Sequence, residues 1–261
     1  MTTMTRATVS TTDTAPVRAV VWLWPGQAAY FGPSFHLDTH SAAVHTLAVG
    51  IDASFAITLP GSATRRVRSV LVPARVRHRI ESAGRMLFFY LDAQSGSAAG
   101  VRAAMRDRSS SVLAEHRATA PLIDHLSGPD APNPAAIRRI ILGGADVALV
   151  DYRVRRTMAR LLADPGRAPT AAAAAEAVGL SESRFLHLFT AHAGTSYRRY
   201  RMWARLLRAG AAVAAGRDLT AAAADAGFAS TSHFSDTFRA VFGLSATAVL
   251  ARGTEIVVLE R

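Results

Sequence analysis

The last third of the sequence contains the same helical pattern twice, and this repeat constrains the fold more than any other feature. Each copy has an alanine-rich segment, a glycine, and a segment with phenylalanines at helical spacing. The matching residues stand 48 to 50 positions apart: Thr170, Gly179, Phe185, Phe189, Gly194 and Ser196 match Thr220, Gly227, Phe234, Phe238, Gly243 and Ser245. The drift in spacing predicts one extra residue in the second turn.

Local residue preferences predict where these helices begin and turn. Thr220 is a good N-cap residue, and Gly227 tolerates the positive φ that suits a tight turn between two helices. The cluster Ser230, Thr231 and Ser232 predicts the start of the next helix. Between the copies, residues 196–215 are predicted to form one helix, since they contain no proline. This helix would fix the spacing of the two units.

The second helix of each copy is predicted to have one apolar and one polar face. With Phe185, Leu188 and Phe189 packed inward, a rotation of about 100° per residue separates buried from outward positions. The outward groups are Ser183, His187 and Thr190, flanked by Arg184 and Leu186, and, in the second copy, Ser232, Asp236 and Arg239, flanked by Ser235. Two helices joined by a tight turn, with small polar groups outside, are typical of a DNA-reading helix-turn-helix unit.

Positive charge is concentrated in the same region. The net charge of +11 comes from 30 arginines against 19 acidic residues, with no lysine. Exclusive use of arginine is explained equally well by genomic base composition or by function. Residues 183–217 contain no acidic residue and seven arginines, at positions 184, 198, 199, 201, 205, 208 and 217. Such a local excess suits DNA phosphates, although a solvated basic helix face is the alternative.

The two copies carry specific sequence motifs. They read GLSESRFLHLF, then HAGTSYRRYR, and finally AAAADAGFASTSHFSDTFRAVFGLS. Over roughly the last hundred residues, about 151–250, the chain resembles the double helix-turn-helix domain of the AraC/XylS family of bacterial transcription regulators. It departs from the family where proline usually follows Ser/Thr, since Tyr197 and Ala246 stand there. Proline favours the first turn of a helix, so its loss predicts a softer entry into the last helix.

The resemblance implies which residues contact bases. The family's base-contacting positions fall on Ser183, Leu186, His187, Thr231, Ser232, Ser235 and Asp236. Charge and position predict phosphate contacts from Arg184, Arg198, Arg199 and Arg239. An acid is unfavourable near phosphates, so Asp236 either accepts a hydrogen bond from a cytosine amino group or pairs with an arginine of the protein.

Residues 17–92 have a different pattern, with short apolar runs bounded by Gly, Pro and Asp. The predicted strands are residues 19–24, 43–49, 54–59, 67–72 and 85–91. Closely spaced strands without intervening helices favour a β-sandwich or barrel, and the segment resembles the small cupin-like barrel common at the front of this family. Trp22 and Trp24 are predicted to lie in its core. Residues 1–16, rich in Thr, Ser and Ala, are predicted to be a disordered leader.

Four histidines are the candidate ligand-binding residues of this domain: His36, His40, His45 and His78. Cupin enzymes place metal ligands in such positions, and neutral imidazole is a common metal ligand. However, no glutamate precedes Glu81, and His36 and His40 are four residues apart. The prediction is therefore an effector pocket or strand-edge positions, with no metal.

Residues 93–150 are predicted to be a helical linker. Helices are predicted at 101–118 and 135–142, separated by the loop 128–134, and another helix from Asp151 to about Ala163 opens the DNA-binding domain, 151–261. A role of the linker in dimer contacts is implied only by the resemblance.

Several functional classes are excluded or disfavoured by what the sequence lacks. Without cysteine or lysine there is no thiolate nucleophile, disulfide, Schiff-base lysine or Walker lysine. We find no G-x-S-x-G or G-x-G-x-x-G motif and no apolar run of 18 residues. The sequence thus predicts a cytoplasmic protein that is not an enzyme and that needs no cofactor or membrane.

The predicted fold is α+β with two domains: an N-terminal cupin-like β-barrel with supporting helices, and a C-terminal all-α domain with two helix-turn-helix units joined by a long helix. The predicted function is sequence-specific transcription regulation by a homodimer that binds double-stranded DNA, contacts RNA polymerase and responds to an unknown small-molecule effector. Two alternatives remain: a cupin-type metalloenzyme using His36, His40 and His78, and a sequence-blind architectural DNA-binding protein. The effector, the operator and the sign of regulation stay open.

Overall fold

The computed structural model describes residues 19–91, 97–143 and 150–260. The predicted leader, residues 1–16, lies outside the described residues. Eleven strands and ten helices follow one another along this part of the chain. None of its helices is long and apolar enough to cross a membrane.

Most strands come from the first hundred residues. They are β1 (Val20–Trp24), β2 (Gln27–Pro33), β3 (Thr46–Gly50), β4 (Phe55–Thr58), β5 (Arg65–Val67), β6 (Ser69–Val72), β7 (Arg79–Glu81), β8 (Arg85–Tyr90), β9 (Met105–Asp107), β10 (Leu113–His116) and β11 (Glu255–Val258). Eight of them form one sheet in the order β11-β1-β2-β8-β3-β6-β10-β9, and the other three form a small sheet in the order β5-β4-β7. The pairings are antiparallel except that of β1 with β11, which is parallel.

The large sheet buries both of its faces. One face packs on the small sheet through side chains such as Phe55, Ile80 and Met86. The other packs on three helices, α1 (Ser97–Ala104), α2 (Thr119–Ser127) and α3 (Pro134–Leu142), and includes Trp22 and Trp24, which are buried as predicted. Because both faces are covered, the strands read as continuous apolar runs rather than as an alternation.

The strand predictions were right in most places and incomplete in others. Four predicted runs correspond to β1, β3, β4 and β8. The remaining run, residues 67–72, is divided at Arg68 between the end of β5 and the whole of β6. Strand β2 was missed, although Pro25 and Gly26 leave a two-residue connection between its first residue and Trp24. A Pro-Gly pair between two apolar runs is a hairpin signal.

The predicted helix over residues 101–118 is wrong. Helix α1 ends at Ala104, and the chain then forms β9 and β10, which lie at the edge of the large sheet. The reason lies at Asp107, whose Oδ1 accepts hydrogen bonds from the backbone N–H and the hydroxyl of Ser109 and so supports a turn. Local side-chain bonds of this kind compete with helix formation. Part of the predicted linker therefore belongs to the N-terminal sheet.

The remaining helices form the C-terminal domain. They are α4 (Tyr152–Ala163), α5 (Ala171–Glu176), α6 (Glu182–Ala193), α7 (Tyr197–Ala214), α8 (Leu219–Asp225), α9 (Thr231–Phe242) and α10 (Ala246–Leu250). Helix α7 is the predicted linking helix, and α4 begins after Asp151, whose carboxylate accepts from the N–H of Arg153. Ser245 caps α10 in the absence of the expected proline, accepting from Ala248 N–H.

One predicted cap was wrong. The N-cap of α8 is Asp218, whose carboxylate accepts from the N–H of Ala221, and Thr220 lies inside the helix. Aspartate competes well for this position, since its carboxylate also interacts favourably with the helix dipole. When Asp218 is aligned with Thr170, the spacing between the two copies is 48 residues at the cap and also at the glycines, Gly179 and Gly227. The extra residue is in the second turn, as predicted, because Gly227 and Ser230 are three positions apart whereas Gly179 and Ser181 are two.

Candidate DNA interface and domain contacts

Helices α6 and α9 are built alike and present polar faces to solvent. Each has twelve residues, begins after a capping serine, Ser181 or Ser230, and ends at a left-handed glycine, Gly194 or Gly243. The predicted base-reading residues are exposed, apart from half-buried Leu186: Ser183, His187, Thr231, Ser232, Ser235 and Asp236. The Ser235 hydroxyl donates to the carbonyl of Thr231, 2.9 Å away.

Aromatic rings on the opposite faces fix the orientation of both helices. Phe185 and Phe189 are fully buried and lie 5.3 and 5.4 Å, respectively, from the Tyr197 ring, centroid to centroid. In the second unit, Phe238 lies between Phe234 and Phe242, at 5.8 and 4.5 Å. Such edge and offset contacts stabilise a defined packing geometry, so the polar faces are held by rigid cores.

The arginines of this region divide into exposed and internally bound groups. Arg184 and Arg198 are exposed, and so is Arg239, with the Asp38 carboxylate 4.0 Å from its Nε. Some of the others hold the C-terminal domain together: Arg201 and Arg205 donate to the carbonyls of Ala168 and Pro165, and Arg217 pairs with Asp225 at 2.7 Å. Some of the arginines in this region therefore stabilise the C-terminal domain, and others remain at its surface.

Arg199 differs from its neighbour Arg198. Its guanidinium is half-buried and donates to the carbonyl of Ser41 at 3.4 Å and to that of Ala42 at 3.5 Å. Burial lowers the pKa of Arg199, and the charges of Arg75 and Arg198 lower it further. In this arrangement Arg199 binds the N-terminal domain, whereas Arg198 remains free to meet a phosphate.

One loop of the N-terminal domain, residues 38–45, contacts the C-terminal ends of α6 and α9, the two helices that carry the predicted base-reading residues. We call it the docking loop. The N–H groups of Asp38 and Ser41 donate to the carbonyls of Gly243 and Ala240, at 2.8 and 3.2 Å. At the other unit, the hydroxyl of Thr195 donates to the carbonyl of Ala43 at 2.7 Å. The loop therefore gives hydrogen-bond partners to the carbonyl of Ala240, in the last turn of α9, and to that of Gly243, which follows the helix.

The two C-terminal glycines also allow close approach of this loop. A Cβ atom at Gly243 would lie 2.6 Å from Nδ1 of His40, and one at Gly194 would collide with the imidazole of His45. Both glycines have positive φ, of 64° at Gly194 and 78° at Gly243. Glycine is thus required at each position for its conformation and for its small size.

Further contacts join the linking helix and the C-terminal strand to the large sheet. Trp203 of α7 is buried and donates its indole N–H to the carbonyl of Gly26, 3.0 Å away. Its ring lies 5.5 Å from that of Tyr90 on β8. Strand β11 pairs with β1, in the register Trp22 to Val257. The domains are consequently in contact through the linking helix, both units and the C-terminal strand.

An apolar cavity of about 140 Å³ lies at this junction. It is lined by the N-terminal residues Val21, Leu23, Ala28, Ala29, Tyr30, Phe35, Leu37, Phe88 and Tyr90, and by Trp203, Leu206, Leu207, Ala209, Gly210, Val213, Leu219, Phe234, Phe238, Phe242, Leu244, Ala246, Val249, Leu250 and Ile256. The hydroxyl of Tyr30 is occupied by a hydrogen bond to the carbonyl of Pro33, and burial raises its pKa to about 12. No lysine or arginine lines the cavity.

None of the four candidate histidines lines this cavity. His40 and His78 are buried with ring centroids 4.3 Å apart, His45 accepts from the N–H of Ala74 through Nδ1, and His36 is exposed. Burial lowers the pKa of His40, and it lowers those of His45 and His78 to about 4. Across the described residues, no three His, Asp or Glu side chains are grouped so as to hold a metal ion.

Comparison with known proteins supports the same division of the chain. Residues 174–252 match the family described as "Helix-turn-helix domain". No curated protein matches the sequence significantly. Among solved structures, an apo form of a ToxT variant from Vibrio cholerae is 13% identical with a TM-score of 0.58, and the alignment covers 87% of this chain and 97% of that one. ToxT bound to an unsaturated fatty acid, also from Vibrio cholerae, is 12% identical with a TM-score of 0.54, covering 89% and 93% of the two chains.

At this identity the likeness to ToxT concerns the fold, which is shared over nearly the whole of both chains. The family match concerns the segment that contains α6, α7 and α9. The chain therefore shares the two-domain fold of ToxT, and its residues 174–252 belong to a segment that matches a helix-turn-helix domain family.

Proposed function

We propose that the chain reads two successive major grooves with α6 and α9, under the control of a small apolar effector bound between its domains. The observation that carries this proposal is the shared construction of the two helices: a serine cap, an exposed polar face, buried phenylalanines and a left-handed glycine in each. A sequence-blind DNA-binding protein needs only positive charge. Two different polar faces on rigid cores instead favour sequence readout.

The base-reading residues in this proposal are those that the family resemblance implies, and the exposed arginines Arg184, Arg198 and Arg239 hold phosphates. Asp236 is assigned to a cytosine amino group. This assignment is supported because Asp236 is exposed and forms no ion pair with any residue that the structure describes. Carboxylates accept from cytosine N4 in major-groove readout.

Substitution of readers and phosphate binders tests the proposal. His187→Ala and Asp236→Ala should each relax base preference at one position, at a cost of about 1–3 kcal/mol for the preferred site. Arg198→Ala should weaken binding to all sequences alike and reduce the salt dependence by about one unit of slope. Binding selections from random duplexes, followed by titrations at several salt concentrations, measure both effects. A change in base preference in Arg198→Ala alone would show that the reading face is wrongly assigned.

The linking helix α7 supports a geometric part of the proposal. Because it joins two like units rigidly, their contacts on DNA should lie about one helical turn, roughly 34 Å, apart on one face of the duplex. Hydroxyl-radical footprinting of the selected site measures this spacing. A single protected groove per protein subunit contradicts it.

The effector is assigned to the interdomain cavity because this cavity is enclosed by apolar and aromatic side chains from both domains. Small-molecule sites are typically apolar and frequently lie at domain interfaces. A ligand there contacts α7 and α9 as well as β1, so it would favour one relative arrangement of the domains. ToxT has been crystallised with an unsaturated fatty acid, which fits the same kind of control.

A cavity-filling variant tests the effector site. Ala209 on α7 is buried and lines the cavity, whereas Ala214 on the same helix is exposed. We expect Ala209→Phe to abolish the rise in Tm that a library of small apolar compounds produces, and Ala214→Phe to retain it. If ligands are instead lost in His45→Gln or His78→Gln and retained in Ala209→Phe, the effector lies among the histidines.

We also propose that the chain is a transcription regulator of the AraC/XylS type that acts as a homodimer and contacts RNA polymerase, as the family resemblance implies. Helices α1 to α3 cover one face of the N-terminal sheet and are the candidate dimer surface. Residues 151–261 alone should keep base preference and lose affinity for paired sites, because linked modules gain from effective concentration. Equal affinities of fragment and whole chain for paired and single sites would argue against a dimer. Transcription with purified polymerase, with and without the protein, measures the polymerase contact and the sign of regulation.

A further inference from the structure

Arg75 lies in an unusual turn of the N-terminal domain. Its φ is 71°, in the left-handed region that non-glycine residues seldom occupy. The turn is fixed to the docking loop, since the N–H of Arg75 donates to the carbonyl of Ala42 at 3.1 Å and the N–H of Ala74 donates to His45 at 3.3 Å. Residue 75 is exposed. A charged side chain is thus held at the surface by a constrained backbone.

One carbonyl oxygen connects this turn to the DNA-binding domain. The carbonyl oxygen of Ala42 accepts from the backbone of Arg75 and also from the guanidinium of Arg199, at 3.5 Å. Arg198, the neighbour of Arg199, is exposed near the N-terminus of α7, which follows the capping residue Ser196. Three arginines from two domains are therefore gathered at the junction.

Within residues 19–91, 97–143 and 150–260, no acidic side chain pairs with these arginines. The ion pairs of the described residues involve Arg65, Arg79, Arg85, Arg153, Arg217 and Arg239. The three arginines at the junction form none among these residues. Arg75 is close enough to lower the pKa of Arg199 by charge repulsion, after the larger effect of burial. Like charges gathered beside the positive end of a long helix form an anion-binding surface.

We propose that Arg75, together with Arg198, binds a backbone phosphate of the DNA next to the groove read by α6, while Arg199 holds the junction together through the carbonyls of Ser41 and Ala42. The inference rests on the proposed function, because it assumes that the first unit sits on a specific site. The N-terminal domain is then part of the DNA interface. Since Arg75 reaches the junction only while the docking loop holds the C-terminal domain, this contact favours the docked arrangement when DNA is bound.

The salt dependence of binding by the full chain tests the contact. Arg75→Gly removes the side chain and relieves the left-handed backbone, so the variant should fold. We expect log Kd plotted against log salt concentration to lose about 0.9 units of slope, with base preference unchanged. Arg66→Ala is the charge-matched control, because Arg66 is an exposed arginine of the same domain whose guanidinium donates to the carbonyl of Ser54. Its slope should stay closer to that of the unsubstituted protein.

An unchanged slope in Arg75→Gly overturns the inference, and so does an equal loss in both variants, which indicates only the overall field of the protein. Inorganic phosphate distinguishes a small-anion site from a DNA site. One outcome is that phosphate binds the free protein and fails to bind Arg75→Gly, while the salt dependence of DNA binding is the same for both proteins. In that case the junction binds a small anion and not DNA. A protein without base preference contradicts the proposed function, whereas a selective protein with an unaffected Arg75→Gly slope contradicts this contact alone.

A second measurement locates the contact on DNA. The chain contains no cysteine, so Arg75→Cys introduces a unique site for an iron chelate that cleaves nearby sugars. Cleavage should be confined to a few nucleotides beside the groove of the first unit. The Arg66→Cys conjugate should not cleave there. Absence of cleavage by the Arg75→Cys conjugate on a site that the protein still occupies contradicts the assignment.

Discussion

At the scale of single residues, Gly243 is constrained both by its backbone conformation and by the space around it, whereas Gly253 is constrained by its conformation alone. Gly243 terminates α9 with a φ of 78°, and its open side is occupied by His40 and the carbonyl of Asp38. Gly253 has a φ of 68°, but a Cβ there would meet nothing within 4 Å. Comparison of Gly243 with Gly253 therefore separates the cost of a positive φ from the cost of a steric clash with the docking loop.

We expect Gly253→Ala to reduce the free energy of unfolding by roughly 1–2 kcal/mol, the usual cost of a left-handed alanine. Gly243→Ala should cost more, by about a further 1–3 kcal/mol, because the docking loop must also move. Urea denaturation of both variants measures the difference. Equal losses would show that the close approach of the docking loop to α9 contributes no stability.

At the scale of elements, sequence patterns predicted the helices of the C-terminal domain better than the strands. Helices α6, α7 and α9 carry their own caps and apolar spacing, so local sequence determines them. Strands β10 and β11 are short, and each pairs with a strand far away in the sequence: β10 with β6 and β11 with β1. Strand β9 pairs with β10, so it joins the large sheet only through that strand. Their existence depends on tertiary contacts that no local pattern contains. The interdomain cavity was missed for the same reason, since residues such as Val21 and Phe242 meet only after both domains fold.

Strand β11 allows a test with two adjacent substitutions. The N–H groups of Glu255 and Leu259 donate to β1, at Ala19 and Leu23, so alternation directs that of Val257 towards β1 and that of Val258 away from it. Val257→Pro should therefore release the strand, and hydrogen exchange at Glu255 and Leu259, whose N–H groups bond to Ala19 and Leu23, should accelerate. Val258→Pro should leave exchange at Val257 slow, because proline is tolerated where the N–H faces solvent. Similar exchange in both variants would contradict the pairing.

At the scale of the whole molecule, the histidines of the docking loop make the domain contact sensitive to acid. Burial lowers the pKa of His45 to about 4, assisted by the charge of Arg102. An unfolded histidine has a pKa near 6.5, so between these values the unfolded state binds more protons and stability falls as pH falls. The contribution of neutral His45 is fully present above about pH 6.5 and is lost towards pH 4.

We expect the free energy of unfolding to decrease on acidification from pH 7 to pH 5, by on the order of 2 kcal/mol for His45. His45→Gln should remove this part of the pH dependence, whereas His36→Gln, at an exposed position, should not. Denaturation at several pH values measures both. A pH profile of His45→Gln that matches the unsubstituted protein would contradict the prediction.

The pairing of β11 with β1 has a consequence for the order of synthesis. The ribosome makes residues 255–258 after the other described strands and helices, yet they form the outermost strand beside β1 in the N-terminal sheet. Until they emerge, β1 has one unpaired edge, and open edges of apolar strands promote association between nascent chains. The N-terminal domain therefore reaches its final sheet only after helices α4 to α10 have been translated.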